Sequence, residues 1–398
     1  MPNSKSVLII TSTFPFGHGE EFVEAEIRGL LASGMNVILI PLWPRGSLRQ
    51  GASDLKHITL RRTKVCGSIF LFTFLKLIIH GTTGTERKRL NLIRRYFRES
   101  ISAAYGPQLS KIIIDFKVSH VHAYWASGPA MLAMNASRLS GINWSFSGHS
   151  GDLVEGVSLD QKIESCSGVR LISKRGSRIL NQVGFEADSS VIIHLGVEVP
   201  ATVATQNQIS DFKIACVGNL IPIKNHITLF NAIKVIESEE ISFSVDIIGL
   251  GPLESKLKKS VKALGLEKTI FFRGQIDHAQ LMAEYSQASY QLIILASGIA
   301  RSGQQEGIPV SLMEAMSYGI PVVSTNTGGI PELITKEFDL LVPPGDSKIL
   351  AKKILEIVNM PPDDRNELGV QCRSRIIESF NVVHTSNSFE KWLHSLME

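Results

Sequence analysis

Val7 to Ile10 form a short β-branched apolar run that ends in a Thr, Ser, Phe, Pro and Gly stretch. EEFVEAEIRGLLASG follows, in which Phe22, Ala25, Leu30 and Leu31 recur at helical spacing, glutamates crowd the first turn and Gly34 supplies a stop. The order predicts strand, loop and helix, and NVILIP then predicts a second strand. A further series starts at FKIACVGNL and continues through SVDIIG, TIFFRG, YQLIIL, PVVST and LLVPPG, with helical spacing or loops between. VLII and NVILIP are continuously apolar rather than alternating, the pattern of parallel strands covered on both faces. The expected organisation is a first α/β domain over 1–200 and a second over 205–380. The linker is placed in HLGVEVPATVATQNQISD, where Pro200 and the polar run Thr205 to Ser210 carry no periodicity. Residues 381–398 are expected to form a helix crossing back to the first domain.

Composition narrows the class. A chain of 398 residues suits two domains, and 44% hydrophobic content excludes disorder as the dominant state. A net charge of +4 is too mild for a nucleic-acid coat, so no nucleic-acid partner is expected. Cys66, Cys166, Cys216 and Cys372 are scattered without a CxxC pair, which suggests neither a zinc site nor a disulfide framework and fits a reducing cytoplasm. The apolar run before Thr11 is too short for a secretory signal. One segment departs from the pattern: the apolar stretch Ile69 to Ile79 is followed by Arg87, Lys88, Arg89, Arg94, Arg95 and Arg98 interleaved with Leu90, Leu92, Ile93 and Phe97. Residues 69–98 either lie on an anionic membrane surface, which would make the protein peripheral on the inner face, or are core-covering helices with solvated charges.

Candidate chemistry concentrates in RSGQQEGIPVSLMEAMSYGIPVVSTNTGGIPELI. Glu306 sits in a Gly-rich loop, Pro309 is placed like a first-turn proline, and VSLMEAMSYG is expected to run as a helix to a Gly stop. Free N–H groups around Ile308, Val310 and Ser311 would form an anion site suited to phosphate. Glu314, eight positions beyond Glu306, lies inside that helix, so the two carboxylates can approach a ligand from different directions, whereas Met313 and Met316 are expected to be core. In GLGP, Gly249 and Gly251 are half of a dinucleotide fingerprint with no third glycine at Glu254, a turn rather than a dinucleotide site.

Glu, seven residues, Glu, followed by AM, a Gly, PVVST and GGIPEL, resembles the donor-site motif of retaining glycosyltransferases of family 4. The resemblance implies the GT-B fold, an α/β architecture of two Rossmann-like doubly wound parallel-sheet domains facing a cleft. It implies that Glu306 faces the donor sugar and Glu314 binds the ribose hydroxyls. VGNLIPIKNH resembles the segment whose cations neutralise the diphosphate: Lys224 fits the Lys, while Asn219 stands where Arg is usual. SFSGHSGDL resembles the segment that places His149 near donor sugar and acceptor, with Asp152 as an orienter; His122 in HVHAYW is expected to be a satisfied strand-end histidine. HLGVEV matches as well. TFPFGHGEEFVEAEI is similar to the N-terminal loop and helix of the subgroup that builds colanic acid and amylovoran, where Gly17 and Gly19 would let backbone approach the phosphates.

The resemblance thus implies a retaining transferase that moves a sugar from a UDP- or GDP-linked donor to a glycan or lipid-linked saccharide in surface polysaccharide biosynthesis. Lys224 and the helix N-terminus would stabilise the departing diphosphate, with no metal and no cofactor. Because Asn219 leaves a cation missing, Arg301 in ASGIARSGQQEG is the candidate replacement, the other reading being a solvated loop arginine. Two rival functions are a catalytically silent nucleotide-sugar-binding or scaffold subunit, suggested by Asn219, and a nucleotide-cofactor dehydrogenase. The missing GxGxxG after the first strand argues against the dehydrogenase.

Overall fold

The computed structural model describes residues 5–61, 86–182, 184–185, 190–203, 212–237, 239, 241–300 and 303–398. The chain divides into two units, one of Met1–His194 with Thr385–Glu398, the other of Leu195–His384. The polar linker run Thr205 to Ser210 and most of the basic segment 69–98 lie outside the described residues or their described side chains.

Unit 1 is built on a sheet of six parallel strands: β1 (Ser6–Thr11), β2 (Asn36–Pro41), β3 (His120–Ala123), β4 (Trp144–Gly148), β5 (Gly168–Leu171) and β6 (Ser190–Ile192), in the order β2-β1-β3-β4-β5-β6. Val7 of β1 lies opposite Val37 on one side and His120 on the other. Every residue of β1 is buried, which is why that strand reads as an unbroken apolar run. β3, with its two histidines, gives no such run.

The helix Glu21–Ala32 buries Val23, Glu26, Ile27 and Leu30, while Leu31 is exposed. The apolar stripe expected at Phe22, Ala25, Leu30 and Leu31 is therefore rotated, because a charge takes one inward position. Glu26 grips the fully buried Arg170 of β5 bidentately, at 2.7 Å and 2.6 Å. Tyr124 donates to the same carboxylate at 2.7 Å, and the guanidinium also donates to the Ile193 and His194 carbonyls. Phe389, from the helix Val382–Ser395, lies 4.2 Å from the Arg170 guanidinium carbon. The same helix packs so tightly that a Cβ on Gly29 would meet Ser386 Oγ at 2.2 Å. The buried pair is tolerable only because its polar atoms are met.

In β3, His122 has one ring nitrogen 2.8 Å from Ser145 Oγ and the other 2.9 Å from Ser147 Oγ, and His120 Nε2 lies 2.7 Å from Ser145 Oγ. Burial pushes His120 down to about 4 and His122 well below the usual imidazole range.

Unit 2 repeats the architecture with β7 (Phe212–Val217), β8 (Phe243–Ile248), β9 (Ile270–Gly274), β10 (Leu292–Leu295), β11 (Val322–Thr325) and β12 (Leu341–Val342), all parallel and ordered β12-β11-β10-β7-β8-β9. These are the six runs the hydrophobic pattern marks, and β10 and β11 are buried at every position. Among the described residues no helix is long and apolar enough to cross a membrane.

Two predictions follow from the buried polar groups. Arg170→Ala leaves Glu26 buried without its cation and is expected to cost about 3–5 kcal/mol, read as a lowered urea midpoint of the full-length protein. Arg170→Ala with an unchanged midpoint would contradict this reading. The second concerns acid. His120, His122, His149 (held down to about 3) and His226 (about 4) stay neutral when folded but bind protons near pH 6.5 when unfolded. The histidine contribution is thus fully present above pH 6.5 and is lost as pH falls towards 4, by about 1.4 kcal/mol per histidine per pH unit. Asp152, pushed up to about 7 by burial, runs the other way and offsets one of them. Urea titrations between pH 7 and 5 check the slope.

Candidate functional site

All β-strands of unit 2 run the same way, so the loops that follow β7, β9, β10 and β11 leave from one edge of the sheet. After β7 the chain turns through Gly218 to Leu220 and a 3₁₀ turn, Pro222–Lys224. The GLGP segment supports that turn. Leu220 N–H donates to the Leu250 carbonyl, Leu253 N–H donates to the Leu220 carbonyl, and a Cβ on Gly249 would sit 2.2 Å from the Gly218 oxygen. Its glycines therefore serve backbone-on-backbone packing, with Gly249 at φ +138°. Asn219 is exposed on the turn.

Lys224 Nζ lies 2.8 Å from Glu306 Oε2, with both side chains largely buried. Ser297, just beyond β10, donates its hydroxyl to the same oxygen at 3.2 Å. The loops after β7 and β10 are also joined by Gly298 N–H, which donates to the Ile223 carbonyl at 2.8 Å. The TGG sequence after β11 backs Glu306: Gly329 N–H donates to the Glu306 carbonyl, Gly328 N–H donates to Gln305 Oε1, and a Cβ on Gly328 would meet the Glu306 oxygen at 2.1 Å. Three successive strand-end loops thus fix one carboxylate and one ammonium.

The helix Val310–Ser317 begins four residues after Glu306, with Pro309 at the cap position rather than in the first turn. Its opening N–H groups, those of Val310 and Ser311, have no acceptor within the helix. Ser311 Oγ donates to the Val217 carbonyl at 3.0 Å, tying the helix start to the end of β7. Ile308, Leu312, Met313 and Met316 are buried. Glu314 Oε1 lies 2.8 Å from Nε2 of His278, the first residue of the helix His278–Ser286 after β9. Arg301 lies outside the described residues.

His149, in unit 1, caps the helix Ser150–Glu155 after β4. Its ring stacks on Trp125 with centroids 4.0 Å apart, and both ring nitrogens are buried with no hydrogen-bond partner among the described residues. Burial, with Arg170's charge added, pushes it down to about 3, so the ring is neutral. Asp152 orients backbone: it accepts from His149 N–H and Ala126 N–H, each at 2.7 Å, while its nearest approach to His149 Nδ1 is 3.9 Å. The buried Lys162 donates to the Ala126, Ser127 and Val157 carbonyls, and burial lowers it to about 7.

Gly17 has φ +66°, and its amide donates to the Ser47 carbonyl; a Cβ there would meet Arg45 O at 2.5 Å. The Gly19 amide donates to the Glu21 carboxylate at 2.9 Å. Between them and the helix stands Glu20, which accepts from the amides of Ser12, Thr13 and Phe14, from Thr13 Oγ1 and from the Trp125 indole. Glu20, Lys162, Ser297 and His278 escape sequence reading. Only Glu20 carries a local signal, a carboxylate directly ahead of a helix in a Gly-rich loop. Among the described residues no group of three or more His, Cys, Asp or Glu could hold a metal ion.

Comparison with known proteins bears on this geometry. Residues 204–375 match the family described as glycosyl transferases group 1. A protein of Salmonella typhimurium named as colanic acid biosynthesis glycosyltransferase WcaL is 33% identical over 151 residues, 38% of this chain and 37% of that protein. The amylovoran biosynthesis glycosyltransferase AmsK of Erwinia amylovora is 34% identical over 170 residues, 42% of this chain and 41% of its own. The chain thus spans about two fifths of the length of these relatives. Among solved structures, Anabaena Alr3699/HepE in complex with UDP and glucose superposes with a TM-score of 0.72 over 98% of this chain and 99% of that one, at 16% identity. The apo lipopolysaccharide outer core galactosyltransferase WaaB gives 0.68 over 98% and 99%, at 17% identity. At such identities these likenesses establish the fold. The match to glycosyl transferases group 1 thus covers residues 204–375, and the chain has the GT-B architecture of two parallel six-stranded sheets.

Proposed function

We propose that this protein is a retaining, metal-independent glycosyltransferase that moves a sugar from a UDP- or GDP-linked donor to a glycan or lipid-linked saccharide acceptor in surface polysaccharide synthesis. The observation that carries the reading is the Lys224–Glu306 pair, at 2.8 Å, set beside the start of the helix that bears Glu314. The relatives that act in colanic acid and amylovoran synthesis support the acceptor class.

The difficult event in such a transfer is departure of a nucleoside diphosphate from the anomeric carbon, which concentrates negative charge on the leaving phosphate. Lys224 and the Val310 and Ser311 amides supply positive potential for it. Glu306, fixed by Lys224, Ser297 and the Gly329 amide, would accept hydrogen bonds from the donor sugar. Glu314 would accept from the ribose. In this reading the diphosphate shares Lys224 with Glu306, so Asn219 leaves room for a further cation, and Arg301 remains the candidate.

Glu306→Gln is expected to abolish transfer while leaving the thermal unfolding midpoint near wild type. Glu314→Ala should weaken nucleotide binding by about 1–3 kcal/mol, the loss of one charged hydrogen-bond acceptor. Nucleotide release from a panel of UDP- and GDP-sugars, with and without chelator, provides the readout. Wild-type turnover by Glu306→Gln would sink the assignment, and loss of turnover in chelator would sink metal independence.

A further inference from the structure

Glu314 sits on the helix Val310–Ser317, and its side chain has three torsions to settle before it can meet a ligand. One contact settles them: Nε2 of His278 lies 2.8 Å from Oε1. A carboxylate only accepts, so this nitrogen carries the proton and donates. His278 in turn is fixed by its place in the chain. It opens the helix His278–Ser286, whose start is capped by Asp277, the Asp277 carboxylate accepting from Ala279 N–H at 2.9 Å. The positive end of that helix favours an anion beside its first residue. The other titratable side chains that sense the Glu314 charge, Tyr285 and Tyr318, are phenols that burial pushes further towards the protonated form.

We infer that His278 is a positioning residue for nucleoside recognition: by holding Oε1 of Glu314 it reserves the second carboxylate oxygen for a ribose hydroxyl, and so sets the preference of the site for ribose over deoxyribose. The inference rests on the proposed role of Glu314 as the ribose acceptor and adds the residue that preorganises it. No pattern in the sequence links the two, which stand 36 positions apart on different helices. A ligand hydroxyl that meets a carboxylate already ordered loses less on binding than one that must order it.

The probes are UDP, GDP, their 2′-deoxy analogues and inorganic pyrophosphate, measured by calorimetry on the full-length protein. Wild type is expected to bind the ribose form of its preferred nucleotide ~10-fold or more tightly than the deoxy form, as a site with a polar partner built for a hydroxyl does. His278→Ala should shrink that ratio to ~2-fold while pyrophosphate affinity stays within ~2-fold of wild type, and His278→Gln, which keeps an N–H donor, should restore part of it. Full ribose preference in His278→Ala, together with its loss in Glu314→Ala, would overturn the inference and leave the nucleotide site standing. Equal losses of pyrophosphate and nucleotide in His278→Ala would also overturn it, by showing a merely structural role. Ribose preference that survives Glu314→Ala, or a wild-type protein that binds neither UDP nor GDP, would remove the underlying site reading and the inference with it.

Discussion

Parallel strands impose one constraint on which the rest depends: every strand must end at the same edge of its sheet. In unit 2 the loops after β7, β10 and β11 have no choice but to meet there, and the chain uses them to hold a single ion pair. Lys224 arrives from the first, Ser297 and Glu306 from the second, and the glycine pair that backs Glu306 from the third. The loop after β9 adds His278 beneath Glu314. The loop after β10 is tied to the one after β7 by Gly298 N–H on the Ile223 carbonyl and to the one after β11 by Gly329 N–H on the Glu306 carbonyl. The precision of the site is therefore inherited from the sheet rather than from loop rigidity.

Much of this was legible in the sequence, for a definite reason. Strands buried on both faces must be continuously apolar, so β1, β10 and β11 stand out without any alignment, and the remaining strands of unit 2 follow as shorter apolar runs between helical segments. The Glu306 and Glu314 motif is local in sequence, since a loop and the helix it feeds are consecutive, and both residues fall on the elements expected. What stays hidden is long-range polar pairing. Nothing in EEFVEAEI marks Glu26 as the partner of an arginine more than a hundred residues away, so the inward face of that helix is misjudged by an apolar count. The same blindness covers His278, Ser297 and Lys162, whose roles exist only once distant loops are brought together.

The two units also differ in how they treat charge. Unit 2 keeps its key ion pair at the sheet edge, largely buried but with some exposure left to both side chains. Unit 1 shuts its own pair away, with Tyr124 and two carbonyls completing the shell, and surrounds it with histidines held neutral. Removing water from a charge is costly unless its shell is complete, which is why the fully buried pair of unit 1 carries the fuller set of hydrogen bonds.

Phe389 on Arg170 gives unit 1 an uncommon dependence on the order of synthesis. The strand that bears the arginine leaves the ribosome early, but the aromatic lid over its guanidinium belongs to the helix Val382–Ser395, translated after the whole of unit 2. Until then Glu26 and Arg170 must meet without that cover, and Gly29 and Gly168 wait open for Ser386 and Trp392. Because unit 2 itself runs to His384, both units are completed only by the last stretch of chain, and the first must hold its core open through the synthesis of nearly all of the second.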